Sequence, residues 1–321
     1  MTGSVRHSVL QAIGNTPVVT LNRIVPPDSG QVLVKLEYIS PTGSYKDRMA
    51  LAMIEEAEAR GDLRPGMMVV EYTGGSTGSS LALVCAVKGY RFKVVSSDAF
   101  AREKLQTMRA FGADVEIVPS QGGKITKELI ERMVERAKGF AASADVYWTD
   151  QFRNTDSLKG YEGIGRELLQ QVDGTIDAFC GGVGTAGMLM GVARVFRASG
   201  QATRIVALEP ATSAVISTGV GGSHRIEGTG IGFVPPLLDT DYYDEARGID
   251  EAEARRTARW LARDEGVFAG TSTGMNVAGA LRLAKELGPG HAVATVAVDT
   301  GLKYLAGDLF EASHGQPDNT A

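Results

Sequence analysis

Only two cysteines, Cys85 and Cys180, occur in the 321 residues, so neither a disulfide framework nor a cysteine-rich zinc cluster can hold this chain together. Each lies in an apolar stretch, the ordinary place of a buried thiol in a reducing compartment. The four histidines, His7, His224, His291 and His314, share no metal-ligand spacing, and no metal site is expected. No run reaches the roughly 18 consecutive apolar residues of a membrane span. The opening MTGSVRHSVLQAIGNTP has no long apolar core behind basic residues, so a cytoplasmic protein without a membrane partner is expected. Basic residues are in short supply too. Lys and Arg number 33 against 38 Asp and Glu, and no stripe of them could track phosphates, which argues against nucleic acid as a partner. Low-complexity segments and short-period repeats are also missing.

What is present is ordinary globular usage, 43% hydrophobic and 22% charged residues, over a length that suits one large domain or two smaller ones. Short apolar runs alternate with helical patterns, as in an α/β protein with largely parallel strands. The runs predict strands at 32–36, 67–71, 92–96, 114–117, 176–179, 205–208 and 292–298. Helical spacing predicts helices at 47–60, 79–88, 102–111, 125–138, 188–198, 251–264 and 277–286. Two units, MVVEYTGGSTGSSLALVCAVKGYRFKVVSSD and IDAFCGGVGTAGMLMGVARVFRASGQATRIVALEP, each read as strand, glycine loop, helix, strand, equivalent halves of two domains. The polar stretch 150–159 reads as a crossing between those domains, and the terminal EASHGQPDNTA as a mobile tail.

Three glycine-rich loops precede helices: TGGSTG (73–78), GGVGTAG (181–187) and GTSTG (270–274). Helix N-termini present unpaired N–H groups and a positive dipole end, so each loop is a candidate anion site. Tight turns alone explain one such loop well and three poorly. In PTGSYKDR (41–48), Ser44 and Asp47 have capping-box-like spacing, which places Lys46 in the first turn of the next helix. A cation there opposes the macrodipole, so its pKa should fall and its amine become a better imine former.

PTGSYKDR, TGGSTG, QFRN (151–154), GVGTAG, HRIEGTGIGFVP (224–235) and GTSTG follow one another in an order that resembles the cysteine synthase and cystathionine β-synthase family. This is the β-replacing branch of the fold-type II pyridoxal phosphate enzymes. IGNTPVV (13–19) and DTGLKYL (299–305) are similar too. The resemblance implies an α/β fold of two domains, each a mostly parallel twisted sheet flanked by helices, with the cofactor in the cleft between them, as in the tryptophan synthase β subunit. A smaller, mobile domain of residues 1–12 and 36–149, a larger one of 13–35 and 150–310, and a tail at 311–321 are expected.

The same resemblance implies that Lys46 carries pyridoxal 5'-phosphate as a Schiff base and moves the substrate's α-proton. Gly184, Thr185, Ala186, Gly187 and Met188 would cradle the phosphate, and Ser272 would meet the ring nitrogen as a neutral partner, which suits β-chemistry. Ser76 would lie at the cofactor ring. Thr73, Gly74, Gly75 and Thr77 would bind the substrate carboxylate, with Gln151 helping and Gly228 lining the pocket. Implied partners are a small amino-acid substrate and a small nucleophile, and the implied assembly is a homodimer. The expected reaction is β-replacement on an O-activated L-serine, such as O-acetylserine or O-phosphoserine, with sulfide or another nucleophile.

Gly74 and Ser76 depart from the family, which usually has a serine and an asparagine there, and Met188 stands where a threonine is usual. The first two keep open β-elimination by a dehydratase or desulfhydrase. Two further readings stay open. Gly182, Gly184 and Gly187 form G-x-G-x-x-G ahead of Glu209, as in a nicotinamide-binding fold, and a catalytically silent relative could bind a protein partner. Trp148 and Trp260 read as core or interface anchors, and Tyr161, Glu162 and Arg166 as candidates to face the second substrate.

Overall fold

A computed structural model describes residues 5–123 and 126–311. Along the chain come β1 (Val18–Thr20), β2 (Gln31–Leu36), α1 (Lys46–Arg60), β3 (Met68–Tyr72), α2 (Ser76–Lys88), β4 (Arg91–Ser97), α3 (Arg102–Ala110), β5 (Asp114–Val118), α4 (Lys127–Ala141) and β6 (Val146–Trp148). Then follow α5 (Asp156–Gln171), β7 (Ala178–Gly182), α6 (Gly187–Ser199), β8 (Arg204–Pro210), β9 (Glu245–Ile249), α7 (Glu251–Trp260), α8 (Thr271–Leu287) and β10 (Ala292–Ala297). One sheet has the order β5-β4-β3-β6 and is parallel throughout. The other has the order β1-β2-β10-β7-β8-β9, parallel except for β1 against β2.

Helices cover these sheets, and that is why the central strands read as unbroken apolar runs: β8 buries Ile205, Val206, Ala207 and Leu208 completely. All seven predicted strands and all seven predicted helices lie on observed ones, within a few residues at each end except that α8 begins earlier. The helix expected over 251–264 ends at Trp260 and continues as a π-helical turn, Leu261–Glu265. Strands β1, β6 and β9 were not expected; two of them have three residues each and the third is EARGI, with little apolar signal. Of the expected tail, residues 312–321 lie outside the described residues.

The 16-residue helix α5, which begins at Asp156 within the polar stretch 150–159, was not expected. Its glycines hid it, and packing explains them. A Cβ at Gly160 would lie 2.3 Å from the Arg48 carbonyl oxygen, and one at Gly165 2.8 Å from Val195 Cβ. The close approach of α5 to α1 and α6 outweighs the roughly 1 kcal/mol that each helical glycine costs. Among the described residues no helix is long and apolar enough to cross a membrane.

Candidate active site

In each sheet the strand order reverses once, between β3 and β6 and between β7 and β10. Loops at the carboxyl ends of strands diverge at such places and leave a crevice for ligands. TGGSTG follows β3, Gln151 follows β6, GVGTAG spans the end of β7 and DTG follows β10. The order of the strands alone therefore gathers motifs that are far apart in sequence.

Lys46 is the first residue of α1. The segment before it is stitched to the end of β10: Tyr45 N–H donates to the Val298 carbonyl (3.0 Å) and Thr300 N–H to the Gly43 carbonyl (2.9 Å). Ser44 Oγ accepts from Lys46 N–H at 3.3 Å. The capping box does not close, because the Asp47 carboxylate reaches back past Ser44 to accept from Thr42 N–H (2.8 Å) and the Thr42 hydroxyl (2.6 Å). Lys46 Nζ lies 5.1 Å from the Tyr45 ring centroid and has no carboxylate within ion-pairing distance among the described residues. Burial brings its pKa down to about 8, against the pull of the nearby Asp299 carboxylate, which raises it. The helix dipole gave the right direction, but desolvation is the larger cause.

The glycine loops rest on neighbouring turns and on the end of β10. A Cβ at Gly184 would lie 2.1 Å from the Gly228 carbonyl oxygen, and Gly230 N–H donates to the Val183 carbonyl (3.1 Å), so the 228–230 turn rests on the GVGTAG loop. Ala186 caps α6 with φ 68°, a left-handed conformation costly for a residue with a side chain. The first N–H groups of α6, like those at any helix head, have no partner within the helix. Met188 turns its side chain into the core, against Gly181, so only its backbone is available to the loop. At the head of α8, Gly270 N–H donates to the Asp299 carbonyl (3.1 Å), and Ser272, almost fully buried, has no hydrogen-bond partner for its hydroxyl among the described residues. A buried amine, a buried hydroxyl and a strained helix head with unpaired N–H groups fit the expected phosphorylated aldehyde.

TGGSTG forms the facing wall. The Thr77 hydroxyl donates to Gln151 Oε1 at 2.8 Å, and Gly75 N–H donates to Thr73 Oγ1 at 3.2 Å. The two departures from the family have structural counterparts. Ser76 Oγ accepts from Lys303 Nζ at 3.1 Å, so an ammonium approaches where an amide is usual. At Gly74 an added Cβ would lie 2.0 Å from Phe100 Cγ; the ring of Phe100 takes the room that a serine side chain would need.

Behind this wall sits Glu71, fully buried. It accepts from the Thr149 hydroxyl (2.6 Å), Tyr72 N–H (2.9 Å) and Gln151 N–H (3.1 Å), yet burial outweighs these bonds and pushes its pKa up to about 7. Below pH 4.5 it is protonated whether the chain is folded or not. Between 4.5 and about 7 the folded chain keeps a proton that the unfolded chain has lost, and above that folding must bury the charge. Its contribution therefore falls by about 3 kcal/mol as pH rises through this window. Glu71→Gln should flatten the pH dependence of urea unfolding between pH 4.5 and 7.5, and equal slopes for the two proteins would refute this.

Sequence reasoning gave no role to Asp299, Lys303, Glu71, Lys104 or Glu227. Glu71, Asp299 and Lys303 are charges set in or beside apolar runs, which was the available signal; Lys104 and Glu227, in REKLQ and HRIEG, carry none. Tyr161 does not face a substrate: it is fully buried, with its ring 5.2 Å from that of Tyr45 and its edge against Gly187. Glu162 and Arg166 pair with each other along α5. The dinucleotide reading fails at Glu209, whose carboxylate is spent on Ile216 N–H (2.8 Å), Ser217 N–H (2.8 Å) and the Ser217 hydroxyl (2.6 Å). Both cysteines are buried and their pKa values rise to about 12, which makes them inert core thiols.

Comparison with known proteins gives the same picture. A family model described as pyridoxal-phosphate dependent enzyme matches residues 9–299. The cysteine synthase of Staphylococcus aureus is 40% identical over 305 residues, covering 94% of this chain and 96% of that protein. The O-ureido-L-serine synthase of Streptomyces lavendulae is 38% identical over 308 residues, covering 95% and 93%. The crystal structure of cysteine synthase from Entamoeba histolytica superposes with a TM-score of 0.91 at 30% identity, covering 99% of this chain and 94% of that one.

Proposed function

The chain belongs to the pyridoxal-phosphate dependent enzymes, and on that premise we propose β-replacement on an O-activated L-serine, such as O-acetylserine or O-phosphoserine, with sulfide or another small nucleophile. The observation that carries this is Lys46, a buried amine with its pKa brought down to about 8, on a segment stitched to the end of β10. Bound there, pyridoxal phosphate condenses with amines and draws electrons from the substrate's Cα, which loosens both the α-proton and the β-substituent.

The chain's own residues do the rest. Lys46 Nζ would hold the cofactor at its aldehyde carbon, and its amine would take the proton from the substrate's Cα and return it. Backbone N–H groups of Gly184, Thr185, Ala186, Gly187 and Met188 would hold the phosphate, the Ser272 hydroxyl would meet the ring nitrogen, and Ser76 would lie at the ring. Thr73, Gly74, Gly75 and Thr77 receive the substrate carboxylate at the head of α2, with Gln151 fixing Thr77. Gly228 lines the pocket. We read residues 1–12 and 36–149 as a smaller mobile domain and 13–35 with 150–310 as a larger one, since strands β3 to β6 form one sheet and the others a second. The reading extends to a cytoplasmic homodimer, in keeping with the two free buried thiols and the likeness to cysteine synthases.

The test mixes holoenzyme separately with O-acetylserine, O-phosphoserine, serine and cysteine, follows the cofactor's absorption, then adds sulfide and identifies products by mass. A spectral change with an activated serine alone, and cysteine after sulfide, is expected. Pyruvate and ammonia released equally with and without sulfide would replace this reading by elimination, and an unchanged spectrum with every activated serine would defeat it.

A further inference from the structure

We propose that Phe100 and Lys104 make the segment 100–108 a clamp that positions the substrate loop 73–78, gripping that loop on one side and the opposite wall of the cleft on the other. The proposal rests on the reading of that loop as the holder of the substrate carboxylate. The grip on the loop is steric. Phe100 sits on Gly74 so closely that an added Cβ would lie 2.0 to 2.3 Å from three ring atoms, and Met108 sits on Gly78, where a Cβ would meet its Cε at 2.6 Å. Both ends of the loop therefore rest under side chains of one segment, and glycine is what lets the backbones approach.

The grip on the far wall is electrostatic. Lys104, between those two contacts on α3, is only 8% exposed, a degree of burial that lysine rarely has without a partner. Its ammonium pairs with Glu227 and stands 5.7 Å from the Tyr304 ring centroid. Neither partner belongs to the four-stranded sheet that carries the loop. Glu227 is anchored by its own N–H, which donates to Thr271 Oγ1 at the head of α8 (3.3 Å), and it precedes Gly228, the residue resting on Gly184. Tyr304 in turn donates its hydroxyl to both oxygens of Asp299 (3.2 and 3.1 Å). One side chain thus ties the substrate loop to α8, to the 228–230 turn and, through Tyr304, to the neighbourhood of Lys46. Lys104 is a positioning residue, and its loss should free the loop without removing any group that contacts substrate.

The test compares holoenzyme carrying Lys104→Met, Glu227→Gln or Lys104→Arg with the parent. Amide hydrogen exchange across 73–78 is followed without substrate, and KM and kcat are measured for the activated serine. Lys104→Met and Glu227→Gln should each speed exchange in the loop about tenfold and raise KM roughly 3- to 30-fold, with kcat held within about threefold. Lys104→Arg, which keeps the pair, should stay near the parent. Unchanged exchange in both charge-removing variants overturns the clamp. Faster exchange with an unchanged KM supports the clamp and overturns instead the assignment of the loop to the substrate carboxylate. Glu227 is 49% exposed on its side chain, so its variant keeps the test decisive if Lys104→Met fails to fold.

Discussion

Replacing Lys46 by alanine is expected to cut turnover by about 10²- to 10⁴-fold, the span that a positioned proton-transfer group contributes, and to leave the fold intact. Lys46 Nζ has no ion pair among the described residues, and its nearest charged influence is the carboxylate of Asp299, so truncation leaves no strong bond unmade. Exchange of the substrate's α-hydrogen with solvent deuterium should fall in parallel, because that exchange reports the proton transfer itself. In protein stripped of cofactor, a pKa of about 8 for the amine also predicts how pyridoxal phosphate is taken up. Below pH 8 the ammonium form is unreactive; above it the free amine condenses, so the uptake rate should rise with pH and level off past about 8. Asp299→Asn removes the carboxylate that favours the ammonium, and the inflection should move down. Full activity in Lys46→Ala, or an inflection near the ordinary lysine value, would sink the assignment.

Arg48, two residues further on, is expected to matter for stability rather than chemistry. Its guanidinium donates to both oxygens of Glu37 (2.6 and 2.9 Å) and both oxygens of Glu167 (2.7 and 2.8 Å). Lys35, fully buried, joins the cluster through Glu167 at 2.8 Å and donates to the Thr16 carbonyl at 2.8 Å. Together Arg48 and Lys35 hold the Glu167 carboxyl at about 2 in spite of its burial. Arg48→Met would strand Glu37, which has no exposed surface, and should cost about 3–5 kcal/mol, a large part of the roughly 5–15 kcal/mol that holds a domain together. Urea unfolding of the cofactor-free chain measures this apart from any effect of ligand. A loss below about 1 kcal/mol would show that the network is dispensable, and Arg48→Lys, lacking the planar fork, should recover only part of it.

The motif PTGSYKDR shows how unevenly a sequence can be read. Lys46 was legible because its position at a helix head and the glycine loops elsewhere follow from local pattern. Asp47 and Arg48 look equally functional in the sequence, yet one holds Thr42 and the other joins α1 to α5. Helix α5 itself was half hidden, because its glycines answer to the backbone of Arg48 and the side chain of Val195, neighbours in space only. Gly74 and Ser76 were visible as departures but not as accommodations to Phe100 and Lys303.

By itself, the sequence determined the α/β class, the order of the predicted strands and helices, the three loops and the lysine, since each rests on local periodicity or on residues within one turn of a helix. The tertiary structure alone decided what those pieces meet. Burial, not the dipole, is the main cause of the lowered pKa of Lys46, and desolvation depends on every element packed round a group rather than on its neighbours in sequence. The same is true of Lys104 and Glu227, 123 residues apart, whose meeting is a product of strand order and could be read from neither segment alone.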